Sequence, residues 1–166
     1  MKPVWTLFLL LLPTASALSP GDPVSLPTVR DSFGNPVNLA RLAREGHYLL
    51  FFFFPKAFTP GCTAQAKRYA ELHEEFRRFR VEVFGVSADS AKQQCDFVER
   101  LGLKGAMIPD REGILARLFG VRGLLGFYSR DTILVNPQSR IERIWRNVDP
   151  NRDADTALAH VRQLRR

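Results

Sequence analysis

The run Tyr48-Leu-Leu-Phe-Phe-Phe-Phe54 constrains this chain more than any other stretch. Apolar residues without alternation do not suit a strand with one wet face. They specify a strand buried on both faces, of the kind found at the centre of a parallel sheet. Pro55 ends the run. After a short loop, Thr59-Pro60-Gly61-Cys62 opens a helical pattern. Thr59 suits the N-cap, and Pro60 the first helical position, because the N–H it lacks would have had no partner there. Cys62 then falls in the first turn, where free N–H groups and the helix dipole favour a thiolate over a thiol. A buried strand that delivers a cysteine to a helix N-terminus is an arrangement for thiol chemistry.

The remaining patterns supply a sheet around that strand. Leu26 to Val29 and Val37 to Leu39 flank Asp31-Ser-Phe-Gly-Asn-Pro36, a hairpin turn signal, and Leu39 to Arg44 suits one helical turn. The helix from Pro60 carries Tyr69, Leu72, Phe76 and Phe79 on one face, opposite a charged face. Val81 to Ser87 reads as a second buried strand, with Asp89 and Ser90 as caps for a helix through Leu101. In that helix Ala91, Cys95 and Val98 form an apolar stripe. Met107 to Pro109 is a short strand and Gly113 to Phe119 a short helix. Thr132 to Val135 and Ile141 to Trp145 make a hairpin about Asn136-Pro-Gln-Ser139, and Asp153 to Leu164 is a closing helix. Alternating units followed by a hairpin and a helix predict an α/β sheet with helices on both faces.

At the N-terminus, Lys2, the apolar run Val4 to Leu12 and Ala15-Ser16-Ala17 have the form of a secretory signal peptide with an A-x-A cleavage site. The run is too short to span a bilayer, which needs about twenty residues. The expected organisation is a signal peptide, residues 1–17, followed by a single domain, 18–166. The expected location is secreted, the periplasm if the cell is bacterial, with no membrane partner after cleavage. Net charge is +7, and +6 once the leader's one lysine is gone. The basic residues are spread along the chain and no recognition motif accompanies them, which argues against a nucleic-acid partner. Two cysteines 33 residues apart and histidines at 47, 73 and 160 give no metal-ligand spacing. No phosphate loop or other cofactor motif occurs, so no cofactor is expected.

Pro55-x-x-x-Thr59-x-x-Cys62 resembles the active-site signature of the peroxiredoxins, and FTPGCTAQA, Phe58 to Ala66, is similar to the peroxiredoxin Q or bacterioferritin-comigratory-protein subfamily. The resemblance covers about Leu18 to Arg166. It implies a thioredoxin fold with an N-terminal β-hairpin extension, and a thiol-dependent peroxidase acting on hydrogen peroxide and organic hydroperoxides. The partners implied are a peroxide and a thioredoxin-like or other dithiol reductant, and a monomer is expected. Cys62 is then the nucleophile, oxidised to a sulfenic acid. Arg130, before the strand Asp131 to Val135, matches the arginine that sits beside this cysteine in the family, favouring the thiolate and donating to the peroxide oxygens. Thr59 would hold the peroxide, Pro55 would shape the loop and exclude water, and Gln65 is a candidate for a hydrogen bond within the site.

The subfamily often places a resolving cysteine five residues after the nucleophile, where this chain has Lys67. Cys95 is the remaining candidate, since some members carry the resolver on the helix after the second strand. The alternatives are a one-cysteine enzyme reduced by an external thiol and, for Cys95, an inert buried thiol. Two rival functions stay open on the residues alone. One is a thiol–disulfide oxidoreductase or redox carrier, against which Cys62-Thr-Ala-Gln65 offers C-x-x-Q in place of C-x-x-C. The other is a catalytically silent binding module.

Overall fold

In the computed structural model, which describes residues 17–165, the apolar run becomes the central strand of a five-stranded sheet. It is the third strand of the chain, following a hairpin of β1 (Thr28–Arg30) and β2 (Pro36–Asn38) and a short helix α1 (Leu39–Arg44). Strand β3 (Tyr48–Phe53) leads to helices α2 (Pro60–Glu71) and α3 (His73–Arg78), then to β4 (Val81–Ser87), α4 (Ala91–Leu101), β5 (Ala106–Pro109) and α5 (Ile114–Leu118). A small hairpin of β6 (Gly123–Leu124) and β7 (Phe127–Tyr128) precedes β8 (Thr132–Val135), β9 (Ile141–Trp145) and α6 (Asp153–Leu164). The sheet order is β5-β4-β3-β8-β9. The expected parallel pairing holds on one side only: β3 is parallel to β4, and β4 to β5, whereas β8 runs antiparallel to β3. The expected leader lies outside the described residues except for its last residue, Ala17.

Both faces of β3 are covered, as the unbroken apolar run requires. Leu50, Phe52 and Phe54 enter one core with Tyr69, Phe76, Phe97 and Leu158. Leu49, Phe51 and Phe53 enter the other with Leu39, Leu115 and Phe119. Side chains alternate along a strand, so six consecutive apolar residues fill two cores in turn.

Three local readings need correction. The helix expected from Pro60 to Phe79 bends at Leu72, where φ is −91° and ψ 6°, and this lets α3 lie against β4. Its apolar face continues across the bend, the rings of Tyr69 and Phe76 lying 5.8 Å apart. In α4 the buried stripe is Gln94, Phe97 and Val98; Ala91 is exposed and Cys95 only half-buried, at the stripe's edge. Ser90 alone caps α4, in a capping box with Gln93, because Asp89 is turned elsewhere. The β6–β7 hairpin was not anticipated: its strands are two residues each, too short for a periodicity signal.

Close packing over β4 requires glycine at position 85. Phe52, its cross-strand partner, stacks on Tyr69 at 4.3 Å between ring centroids. A Cβ on Gly85 would lie 2.8 Å from Phe52 Cζ, and Met107 Cε bounds the other side at 3.3 Å. The ring is held by Tyr69 and has no free end to swing away. Gly85→Ala should therefore destabilise the protein by about 1–3 kcal/mol, the usual cost of overpacking a core. Chemical denaturation measures this; an unchanged midpoint would mean that the stacked pair yields freely.

Candidate active site

Cys62 is the third residue of α2 and is 1% exposed. Thr59 occupies the N-cap with extended backbone, as expected, but its hydroxyl does not cap the helix. It donates instead to the Lys56 carbonyl at 2.8 Å. The first-turn amides are therefore not capped by Thr59, and the hydroxyl's lone pairs remain available as acceptors.

The loop before the helix is held from two directions. The Ala57 amide donates to Asp89 Oδ2 at 2.8 Å, and Ser87 donates to the same oxygen at 2.7 Å. Gln94 in turn donates to Ser87 Oγ and to the Ile108 carbonyl, both at 2.9 Å. Phe58 sits in the left-handed region at φ 66°, unusual for a bulky side chain. Its ring packs edge-on against Phe97 at 5.1 Å, under the Arg100 guanidinium. Pro55, half-buried, begins this loop.

Arg130 reaches the same point from the segment just before β8. Because β8 is antiparallel to β3, with Thr132 opposite Phe52, its beginning lies alongside the end of β3. Nη1 of Arg130 is 3.5 Å from Cys62 Sγ and 2.8 Å from Gln65 Oε1. The guanidinium lies across the helix N-terminus: a Cβ on Gly61 would come within 3.2 Å of Nη2. Gln65, wholly buried, uses its other amide atom to donate to Asp153 Oδ2 at 2.8 Å. That oxygen also accepts from Tyr69 and Thr132 hydroxyls, each at 2.7 Å. Asp153 thus fixes which way the Gln65 amide faces, and Gln65 fixes Arg130.

Asp153 is 3% exposed, and burial pushes its carboxyl above the usual carboxylate range despite three donors that pull it down. Desolvating a carboxylate costs several kcal/mol; each bond to a charged group returns about 1.5–3. Burial also pushes the Tyr69 phenol well up, aided by Asp153, so it stays a donor.

Cys62, Thr59, Arg130 and Gln65 therefore lie together, and Pro55 begins the loop that leads to them. Cys95 is on the half-exposed flank of α4, and both cysteines are free thiols. Partial burial, with Glu99 one turn on, pushes the Cys95 thiol up. The sequence reading missed Asp153, Tyr69 and Thr132 as members of the site. An aspartate in a first helical turn reads as a dipole partner, and its contacts are 21 to 88 residues away along the chain. A buried thiol among helix amides and a guanidinium is a site that stabilises negative charge on sulfur and on an oxygen brought against it.

The family model for the AhpC/TSA family matches residues 20–144. Peroxiredoxin Bcp of Xanthomonas campestris is 32% identical over 128 residues, spanning 72% of this chain and 79% of the relative. Among solved structures, peroxidoxin BcpB from Mycobacterium tuberculosis superposes with a TM-score of 0.82 at 30% identity, covering 90% of this chain and 99% of its own. Xanthomonas campestris peroxiredoxin Q gives 0.76 at 29% identity, covering 84% and 96%.

The raised Asp153 carboxyl has a consequence for pH. The folded state holds that proton more tightly than the unfolded state. The stabilisation is full below the ordinary aspartate range and is lost as pH rises through the folded value. Asp153→Asn cannot titrate. The wild-type-minus-variant difference in unfolding free energy should therefore decline as pH rises from the ordinary aspartate range towards neutrality, read by urea unfolding across that range. A difference that instead grows with pH would show that the three donors outweigh burial.

Proposed function

This chain belongs to the AhpC/TSA family of peroxiredoxins, and from that premise we propose that Cys62 is the nucleophile with which it reduces peroxides. The protein is a thiol-dependent peroxidase, with a peroxide as substrate and a thiol as reductant. The observation that carries the assignment is Arg130 Nη1 at 3.5 Å from Cys62 Sγ, at a helix N-terminus that Thr59 does not cap.

The Cys62 thiolate attacks the terminal peroxide oxygen. An S–O bond forms as the O–O bond breaks, and two electrons pass from sulfur to the departing oxygen, which leaves as hydroxide or alkoxide and takes up a proton. Arg130 spends Nη1 on Cys62 and Gln65 and keeps other N–H groups to stabilise the oxygen as charge develops. Thr59, whose proton is committed to Lys56, accepts from the peroxide O–H. Pro55 and the Phe58 ring limit water at the mouth. Organic hydroperoxides fall within the substrate range on this reading; alkyl peroxide reduction is described for the Xanthomonas campestris bacterioferritin comigratory protein.

Cys95 closes the cycle. Its thiol attacks the sulfenic sulfur, a disulfide forms and water leaves, and a thioredoxin-like dithiol reduces the disulfide. Supporting this, Cys95 is half-exposed, and the Cys62 loop is clasped to α4 through Phe58 and Phe97. Direct reduction by an external thiol is the second reading, favoured by the raised Cys95 thiol.

Cys62→Ser should abolish peroxide consumption and leave the fold intact. Arg130→Met should slow the peroxide step by roughly 10²- to 10³-fold, as removal of a single oxyanion donor does elsewhere. Stopped-flow rates with hydrogen peroxide decide; retention of most activity by either variant would remove that residue from its role. Ala15-Ser16-Ala17 further supports export, to the periplasm if the cell is bacterial, of a chain beginning at Leu18. N-terminal sequencing of the exported form should read Leu18 first, and Met1 on it would contradict this.

A further inference from the structure

The mouth of the Cys62 site carries an apolar surface that packing does not explain. Leu124 and Leu125, at the apex of the β6–β7 hairpin, are 75% and 88% exposed and Phe127 48%, while Phe58, on the Cys62 loop, is 45% exposed. Lys56 joins the two segments, its ammonium 5.6 Å from the Phe127 ring centroid. Exposed leucines already cost hydration free energy, and two of these residues also sit in unfavourable backbone. Leu125 has φ 52° and Phe58 φ 66°, both left-handed. The turn at Leu125-Gly126, with φ positive at both residues, is the kind that Asn-Gly or Asp-Gly serves best. A leucine there is strained and wet at once, and strain of this kind collects where a surface has a task.

We propose that this hairpin apex docks the protein peripherally on an anionic lipid bilayer, with the mouth of the Cys62 site facing the headgroups. This departs from the sequence expectation of no membrane partner, which considered spans; among the described residues no helix is long and apolar enough to cross a membrane. Charge selects the occupant. Lys56 lies against Phe127, Arg122 adjoins the hairpin base and Arg100 covers Phe58, and none of the three is ion-paired among the described residues. A second copy docked about a two-fold axis would bring these cations against their own images. Anionic headgroups complement them, and the net charge of +6 on the chain from Leu18 adds long-range attraction. The shape fits as well. Arg122 stands at the hairpin base, accepting the Ser129 amide at 2.8 Å through its carbonyl. It is about 7 Å along the strand from Leu124, so the leucines reach the acyl boundary while the arginine stays at phosphate level, within the 5–10 Å or so that interfacial elements penetrate. The docking does not depend on Cys62 chemistry, so the two fail separately.

The test uses the chain from Leu18, which carries every core residue described above. Its partition onto extruded vesicles of phosphatidylglycerol and phosphatidylcholine is measured by sedimentation, beside the Leu124→Ser/Leu125→Asn variant. Asparagine tolerates the left-handed turn, so the variant keeps its backbone. Wild type should bind anionic vesicles at least about tenfold more strongly than the variant. It should release in high salt, bind pure phosphatidylcholine weakly, and share its hydrogen peroxide turnover with the variant. Arg122→Glu should weaken binding too. Equal partition of wild type and double variant overturns the proposal. So does vesicle-independent dimerisation, seen by analytical ultracentrifugation and lost in the variant, which would make the occupant a second copy.

Discussion

The antiparallel pairing of β8 with β3 is the constraint on which the rest depends. A central strand buried on both faces must have neighbours on both edges, and here one neighbour is parallel and the other reversed. The reversal places the first residues of β8 beside the last residues of β3. The loop bearing Cys62 leaves one and Arg130 precedes the other, so two residues 68 positions apart meet. Had β8 run parallel, Arg130 would lie at the far end of the sheet from Cys62.

That meeting is made specific by a chain of hydrogen bonds rather than by one contact. Arg130 is held by Gln65, Gln65 by Asp153, and Asp153 by Tyr69 and Thr132. These residues come from α2, α6, the first residue of β8 and the segment before it, so the guanidinium is fixed by several elements at once. Burial raises the Asp153 carboxyl, so the ionised form of this residue is held against a desolvation cost. Its return is orientation: a buried amide locked at both ends aims the guanidinium at sulfur without leaving its direction to solvent.

Much of this was legible in the sequence. The two-faced burial of Leu49 to Phe54 follows from the apolar run, and the place of Cys62 in a first helical turn follows from Thr59-Pro60. Arg130 was legible only through family resemblance, since an arginine before a strand carries no local signature of what it will meet. Asp153 was legible as a helix residue and not as a site residue, because its three donors are distant in the chain. The Thr59 hydroxyl was expected on the helix and is found on the Lys56 carbonyl. Propensity identifies a cap position, whereas the path of the preceding loop decides which acceptor is nearer. The same limit applies to α4, where periodicity alone put Cys95 in a stripe that tertiary packing centres on Phe97.

The whole arrangement turns on Cys62 Sγ being the atom that meets peroxide. Peptide mass spectrometry after a single equivalent of hydrogen peroxide, with thiols trapped at once, tests it directly. The peptide containing Cys62 should gain one oxygen atom or be recovered joined to the Cys95 peptide. Oxidation confined to Cys95, with Cys62 still alkylated as a free thiol, would contradict it.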